Sequence, residues 1–162
     1  MRSRVISIEV TVVMSLYMMC LCPGGLTAQY SFPHPEVESI EIFATDVGRP
    51  AGIAMAEDGT VLIGDFLNPG YIRKATMDGS ISIFATGIRS ATGVLVHQSG
   101  KIFATSQDNT VEYIGPAGGE MQTFAVGLAN PSGITRDYFG NLFVANQDDN
   151  SIIKVTADGE VK

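Results

Sequence analysis

A chain of 162 residues is long enough for one domain, and its 17 acidic against 10 basic side chains give a formal net charge of −7. That field repels a phosphate backbone, so nucleic acid is excluded as an expected partner. Two cysteines are too few to make a disulfide framework the source of stability.

Residues 1–28 differ in kind from the rest. Arg2 and Arg4 precede an apolar run from Val5 to Leu21, broken by Glu9 and a few small polar residues, and the stretch ends Leu26-Thr27-Ala28. Basic, then apolar, then small is the order of a secretory signal peptide, with cleavage expected after Ala28. The run is short for a membrane span and carries an acid. The expected location is secreted or periplasmic, with no membrane association after cleavage. Cys20 and Cys22 both lie in this leader, so a mature chain from Gln29 has no thiol. The leader's Arg2, Arg4 and Glu9 sum to +1, and removing them from −7 leaves −8.

Residues 29–38 read as a linker. Phe32-Pro33-His34-Pro35 has no period and breaks any helix, and His34 stands there alone.

Residues 39–162 are organised by self-similarity. Phe43-Ala44, Phe84-Ala85 and Phe124-Ala125 recur; so do Gly52-Ile53, Gly93-Val94 and Gly133-Ile134, at offsets of 41 and then 40. The repeats run over about 43–83, 84–123 and 124–162. A fixed period of this size signals a stacked array or a propeller. Within the first repeat, Gly52 to Ala56 is a small-residue strand and Glu57-Asp58-Gly59 a hairpin turn. Thr60 to Asp65 is a second strand, Phe66 to Gly70 a turn, Tyr71 to Thr76 a third strand and Ile81 to Ala85 a fourth. Four short antiparallel strands per repeat make a propeller blade. The fold class is therefore all-β: a β-propeller of four-stranded antiparallel blades, about three of them, in an open arc. Small residues after Gly52 suit the innermost strand, where blades converge.

Ser39 to Ala44 matches a fourth strand, and Asp158 to Lys162 matches Asp78 to Ser82 at the start of one. Rings are built from about four to eight blades, so three leave open blade edges. The expectation is a truncated segment, or two copies that assemble into one ring, with self-association through those edges.

Pro50-Ala51-Gly52-Ile53 followed by Asp58-Gly59, and Asn130-Pro131-Ser132-Gly133-Ile134 followed by Gly140-Asn141-Leu142-Phe143-Val144-Ala145-Asn146, resemble NHL repeats. They also resemble blades of the regucalcin/gluconolactonase family of six-bladed propellers. The resemblance covers residues 39–162. It implies a scaffold shared by binding modules, lyases and lactonases, and does not choose among them. In the lactonase branch it implies a divalent metal in the central channel, held partly by Asn or Asp just before the inner-strand glycine. The matching residues here are Ala51, Thr92 and Ser132, none a carboxylate or carboxamide. No metal or other cofactor is expected in this segment; calcium or another divalent ion belongs to the lactonase reading.

The residues expected on a ligand-binding face are Arg49, Asp65, Arg89, Ser106, Asn130 and Asn146, before the first strands and at the ends of the second. Asp65, Ser106 and Asn146 also read as loop caps. Asn68, Asn109 and Asn150 recur in the turns between second and third strands and read as structural, since Asn tolerates left-handed backbone. Asn146-Gln147-Asp148-Asp149-Asn150 is acidic but lacks the glycine and distal glutamate of a calcium-binding loop. His97 has no nucleophile signature beside it, so no catalytic residue is assigned. Two functions stand: a secreted NHL-like segment that binds an unidentified small molecule or protein, and a metal-dependent lactone or ester hydrolase.

Overall fold

The computed structural model describes residues 41–162. The leader, its cysteines, the linker with His34, and Ser39 lie outside the described residues. Those residues form one compact unit of strands and turns, with no helix among them.

Each hydrophobic stretch of the repeat became a strand because a Gly-, Asn- or Asp-containing turn follows it. Strands β1 (Pro50–Met55), β2 (Val61–Asp65), β3 (Gly70–Ala75) and β4 (Ile81–Ile88) pair antiparallel in chain order. The second blade is β5 (Ala91–Val96), β6 (Ile102–Ser106), β7 (Thr110–Ile114) and, after the two-residue β8 (Gly119–Glu120), β9 (Gln122–Val126). β8 does not belong to that blade. It adds in parallel to the outer edge of β4, pairing Ala85 with Gly119 and Thr86 with Glu120. The third blade is β10 (Pro131–Arg136), β11 (Leu142–Asn146) and β12 (Ser151–Val155). A fourth strand starts at its edge, where Val161 bridges Val155 and Lys162 exchanges two backbone hydrogen bonds with Lys154.

One expectation needs correction. Glu41 to Ala44 is not a strand: among the described residues no third strand flanks it to supply a ladder. It still holds a fourth strand's place against the next blade: a Cβ on Gly79 would lie 3.0 Å from the Phe43 carbonyl oxygen, as one on Gly159 would lie 2.8 Å from that of Phe124. The turn chemistry is mostly as expected. Gly59 and Gly79 have φ of +82°, and Asn109 and Asn150 are left-handed at +62° and +50°. Asn68 is not left-handed; it precedes a cis bond to Pro69 instead.

The core lies between blades. Leu62, Ile72, Ala85 and Ile88 of blade one pack on Val94, Ile102, Ala104 and Ile114 of blade two. Phe103, Val111 and Ala125 of blade two pack on Leu142, Val144 and Val155 of blade three. Full burial of one such aliphatic side chain contributes about 1.5–3 kcal/mol. The innermost strands approach backbone to backbone. A Cβ on Gly52 would lie 2.8 Å from the Thr92 carbonyl oxygen and 2.9 Å from the Gly93 Cα, so only glycine fits at that junction. This brings the starts of β1, β5 and β10 together, and the candidate site is built there.

Candidate functional site at the channel mouth

The repeat puts one polar residue at the end of each blade's second strand, opposite the start of the first: Asp65 pairs with Pro50, Ser106 with Ala91 and Asn146 with Pro131. All three side chains are buried, and each ties down the loop that enters its blade. The Asp65 carboxylate accepts from the Arg49 backbone N–H at 3.0 Å and from Arg73 Nε and Nη2 at 3.0 and 2.9 Å. Ser106 Oγ donates to the Arg89 carbonyl at 2.8 Å. Asn146 Oδ1 accepts from the Ala129 N–H at 2.6 Å, and its Nδ2 donates to Asp149 at 2.7 Å. A buried polar group without a partner is costly, and these are satisfied inside the chain. Asp65, Ser106 and Asn146 therefore lie beneath the expected ligand face rather than on it.

Arg89 also stands apart. With Pro50, Ala91 and Pro131 equivalent, the residues matching Arg49 and Asn130 are reached through Ser90, and Arg89 is one position out of register. Ser90 is buried and donates to the Leu67 carbonyl, while exposed Arg89 pairs with Asp108 at 3.1 Å.

Arg49 and Asn130 do reach the face. Together with Pro50, Ala51, Phe66, Thr92, Gln107, Ser132 and Gln147, they line an open cleft of about 460 Å³ where the inner strands begin. Among the described residues Arg49 is the one charged residue lining it, and its guanidinium carbon sits 5.3 Å from the Phe66 ring centroid. Asn130 is held from both sides: its N–H donates to Asn109 Oδ1 and its Nδ2 to Asp148 Oδ1. Thr92 Oγ1 donates to the Pro131 carbonyl at 2.8 Å and meets Thr105 Oγ1 at 2.9 Å, which locks blade two to blade three under the cleft. Phe66, Gln107 and Gln147 were not singled out from sequence. They share one register position, directly after Asp65, Ser106 and Asn146, and that register was the available signal.

The donor set can be tested for a hard divalent cation. Ala51, Thr92 and Ser132 do line the channel mouth, as the family resemblance implies. They offer a methyl group and two hydroxyls, of which Thr92's is engaged with Pro131, and among the described residues no carboxylate lines the cleft. These residues do not fit such an ion. In the acidic turn, Asp148 accepts from Asn130 and Asp149 from Asn146, so the two carboxylates serve different neighbours. Among the described residues no group of three or more His, Cys, Asp or Glu is placed to share a metal. His97 lies at the far end of its strand from the cleft. Its Nδ1 bonds the Ser99 hydroxyl at 2.8 Å and its ring packs edge-on to Phe103.

No protein-family model matches the chain, and no curated protein matches it. Solved structures do. The chain is similar to a streptogramin B lyase at 23% identity, over 75% of this chain and 43% of that one, with a TM-score of 0.63. It is similar to a catalytically inactive virginiamycin B lyase from Staphylococcus aureus with quinupristin, at 21% identity over 76% and 43%, TM-score 0.63. A gluconolactonase from Xanthomonas campestris matches at 16% identity over 76% and 49%, TM-score 0.60. These neighbours are six-bladed propeller proteins, and the fold is theirs. The chain spans less than half the length of each of them.

Proposed function

We propose that this chain is an exported propeller segment that binds a small polar ligand, anionic or rich in carbonyl groups, at the channel mouth. The observation that carries the reading is the cleft lining. Among the described residues, one arginine, three carboxamides and two hydroxyls converge there with one aromatic ring and no carboxylate. A lone guanidinium in an otherwise negative protein attracts an anion, and its planar fork matches a carboxylate. The carboxamides supply both donors and acceptors for the rest of a polar molecule. Export rests on the order of residues in the leader.

The second reading, a metal-dependent lactone hydrolase, is supported by the fold shared with gluconolactonases. The cleft lining counts against it: among the described residues none at the mouth is an acid that could hold the metal or act as a base. Gluconate is a suitable anionic probe for calorimetry, with glucono-lactone hydrolysis followed in parallel, each with and without calcium. The expected result is saturable, calcium-independent gluconate binding that Arg49→Ala weakens by about tenfold or more, the loss of a charge-assisted contact, and no lactone turnover. No saturable binding, or binding indifferent to Arg49→Ala, overturns the proposal. Calcium-dependent turnover replaces it with the hydrolase.

A further inference from the structure

A hollow of about 210 Å³ lies between blades one and two, at the ends of their strands away from the channel mouth. Both of its walls belong to blades that meet inside the described unit. Leu62 and Phe84 of blade one and Val96, Ile102 and Pro116 of blade two supply an apolar floor. Leu62 and Ile102 are buried in the core that joins these blades. The rim is polar. Glu57, Asp58 and Lys74 stand on it, and two acids against one base give it a formal charge of −1. Lys74 Nζ donates to Asp58 Oδ2 at 3.0 Å, while the Thr60 N–H and hydroxyl both donate to Asp58 Oδ1. A carboxylate can accept about four hydrogen bonds, so Asp58 keeps a position open. Among the described residues Glu57 is paired with no cation.

The same place between blades two and three offers a comparison. Ala56 and His97 open equivalent turns, their N–H groups donating to the Thr60 and Lys101 carbonyls. Strand register makes Phe103 the equivalent of Leu62, and Tyr113 that of Lys74. The hollow there is about 220 Å³ and is lined by His97, Ser99, Lys101, Phe103 and Phe124 among others. Among the described residues no carboxylate lines it. Its cation is Lys101, whose Nζ sits 4.6 Å from the Tyr113 ring centroid. One position in the repeat thus gives two hollows of similar size and opposite sign. The first has a negative rim, and the second a positive one over aromatic rings.

We propose that the hollow between blades one and two is a second binding site, for a small organic cation: one aromatic ring on a short chain ending in a primary ammonium. An apolar cavity of about 150 Å³ lined by Leu, Ile and Phe takes benzene, so about 210 Å³ admits one ring and the start of its chain. The ring leaves water for the aliphatic floor and packs on Phe84, as aromatic pairs do. The ammonium stays at the rim, where it donates to Glu57 and to the open position on Asp58. An anion of the same shape meets a rim of its own sign and is rejected. The site shares no lining residue with the channel mouth, so it does not depend on the ligand proposed there.

Calorimetry of the purified protein with phenethylamine, phenethyl alcohol and phenylacetate tests this. The expected result is saturable binding of one phenethylamine per chain, with the neutral alcohol weaker and phenylacetate weaker by about tenfold or more, since a charge-assisted contact is replaced by repulsion. Ala56→Phe is expected to abolish binding with an unchanged far-ultraviolet spectrum, because its ring enters the hollow from a turn position where blade two already carries His97. Should that variant lose its fold, Glu57→Lys, at an exposed position, makes the rim positive and is expected to weaken binding by about fivefold or more. Lys101→Ala in the other hollow and Arg49→Ala at the channel mouth are expected to leave it unchanged. No saturable binding of phenethylamine at millimolar concentration overturns the proposal. So does phenylacetate binding as tightly, binding lost in Lys101→Ala, or binding that survives either substitution at the site in a folded variant.

Discussion

Replacing Asp65 by alanine tests whether the polar residue ending each second strand holds the fold or meets a ligand. The Asp65 side chain is fully buried and accepts three hydrogen bonds, two from the Arg73 guanidinium and one from the Arg49 N–H. The Arg73 side chain is only 19% exposed. Removing the carboxylate leaves a largely desolvated cation and a backbone donor without partners. Breaking one side of a buried pair costs about 3–5 kcal/mol. That corresponds to a fall in melting temperature of about 10–20 °C for a domain of this size. The equivalent Ser106→Ala removes one neutral hydroxyl contact and is expected to cost about 1 kcal/mol. Asn146→Ala strands the Ala129 N–H and is expected to fall between, at about 1–3 kcal/mol. Urea denaturation followed by circular dichroism reads all three. The double variant Asp65→Ala, Arg73→Met should recover part of the loss, because the stranded charge is gone. If Asp65→Ala stays within about 1 kcal/mol of the parent while ligand binding collapses, the clasp argument is wrong and Asp65 belongs to the ligand face.

Three further outcomes follow from the same geometry. Gly93→Ala forces a Cβ into the Ser132 carbonyl and should cost about 1–3 kcal/mol in the same urea experiment; an unchanged midpoint contradicts the backbone-to-backbone packing of inner strands. Acid should destabilise the protein. The Thr60 hydroxyl, more than any other group, holds the Asp58 carboxyl down to about 2, and hydrogen bonds in their own turns, led by Thr76, Asn141 and Thr156, lower Asp78, Asp137 and Asp158. Folded values below the unfolded value of about 3.9 mean that this stabilisation is complete above it and is lost as pH falls from about 4 toward 2; a melting temperature that rises on acidification across that window refutes the sign. Amino-terminal sequencing of secreted material should begin near Gln29, and intact Met1 recovered in a membrane fraction would show an anchor in place of a cleaved leader.

Most strands, the blade order and most turn positions were legible in the sequence because they depend on local chemistry. Glycine at Gly59 and Gly79 supplies a positive φ, and the apolar run in Thr60 to Asp65 and the alternation in Ile81 to Ala85, each bounded by turn residues, read as strands from the letters alone. The period of about 40 residues added the global arrangement. The site was only half legible. Arg49 and Asn130 reach the cleft, but Arg89 stands one residue from the equivalent of Arg49, and one residue decides which way a side chain faces. Burial decided the rest. Nothing in the letters Asp, Ser and Asn separates a ligand contact from a loop clasp. Only when the entering loop folds over β2, β6 and β11 do Asp65, Ser106 and Asn146 lose solvent and take backbone partners. The fourth strand expected at Ser39 to Ala44 did not form in its described part, because a strand is a property of pairing and no third strand among the described residues lies beside it. Likewise Ile72 and Ile152 occupy the same place in the repeat, and only the blade packed against the first makes one core and the other surface.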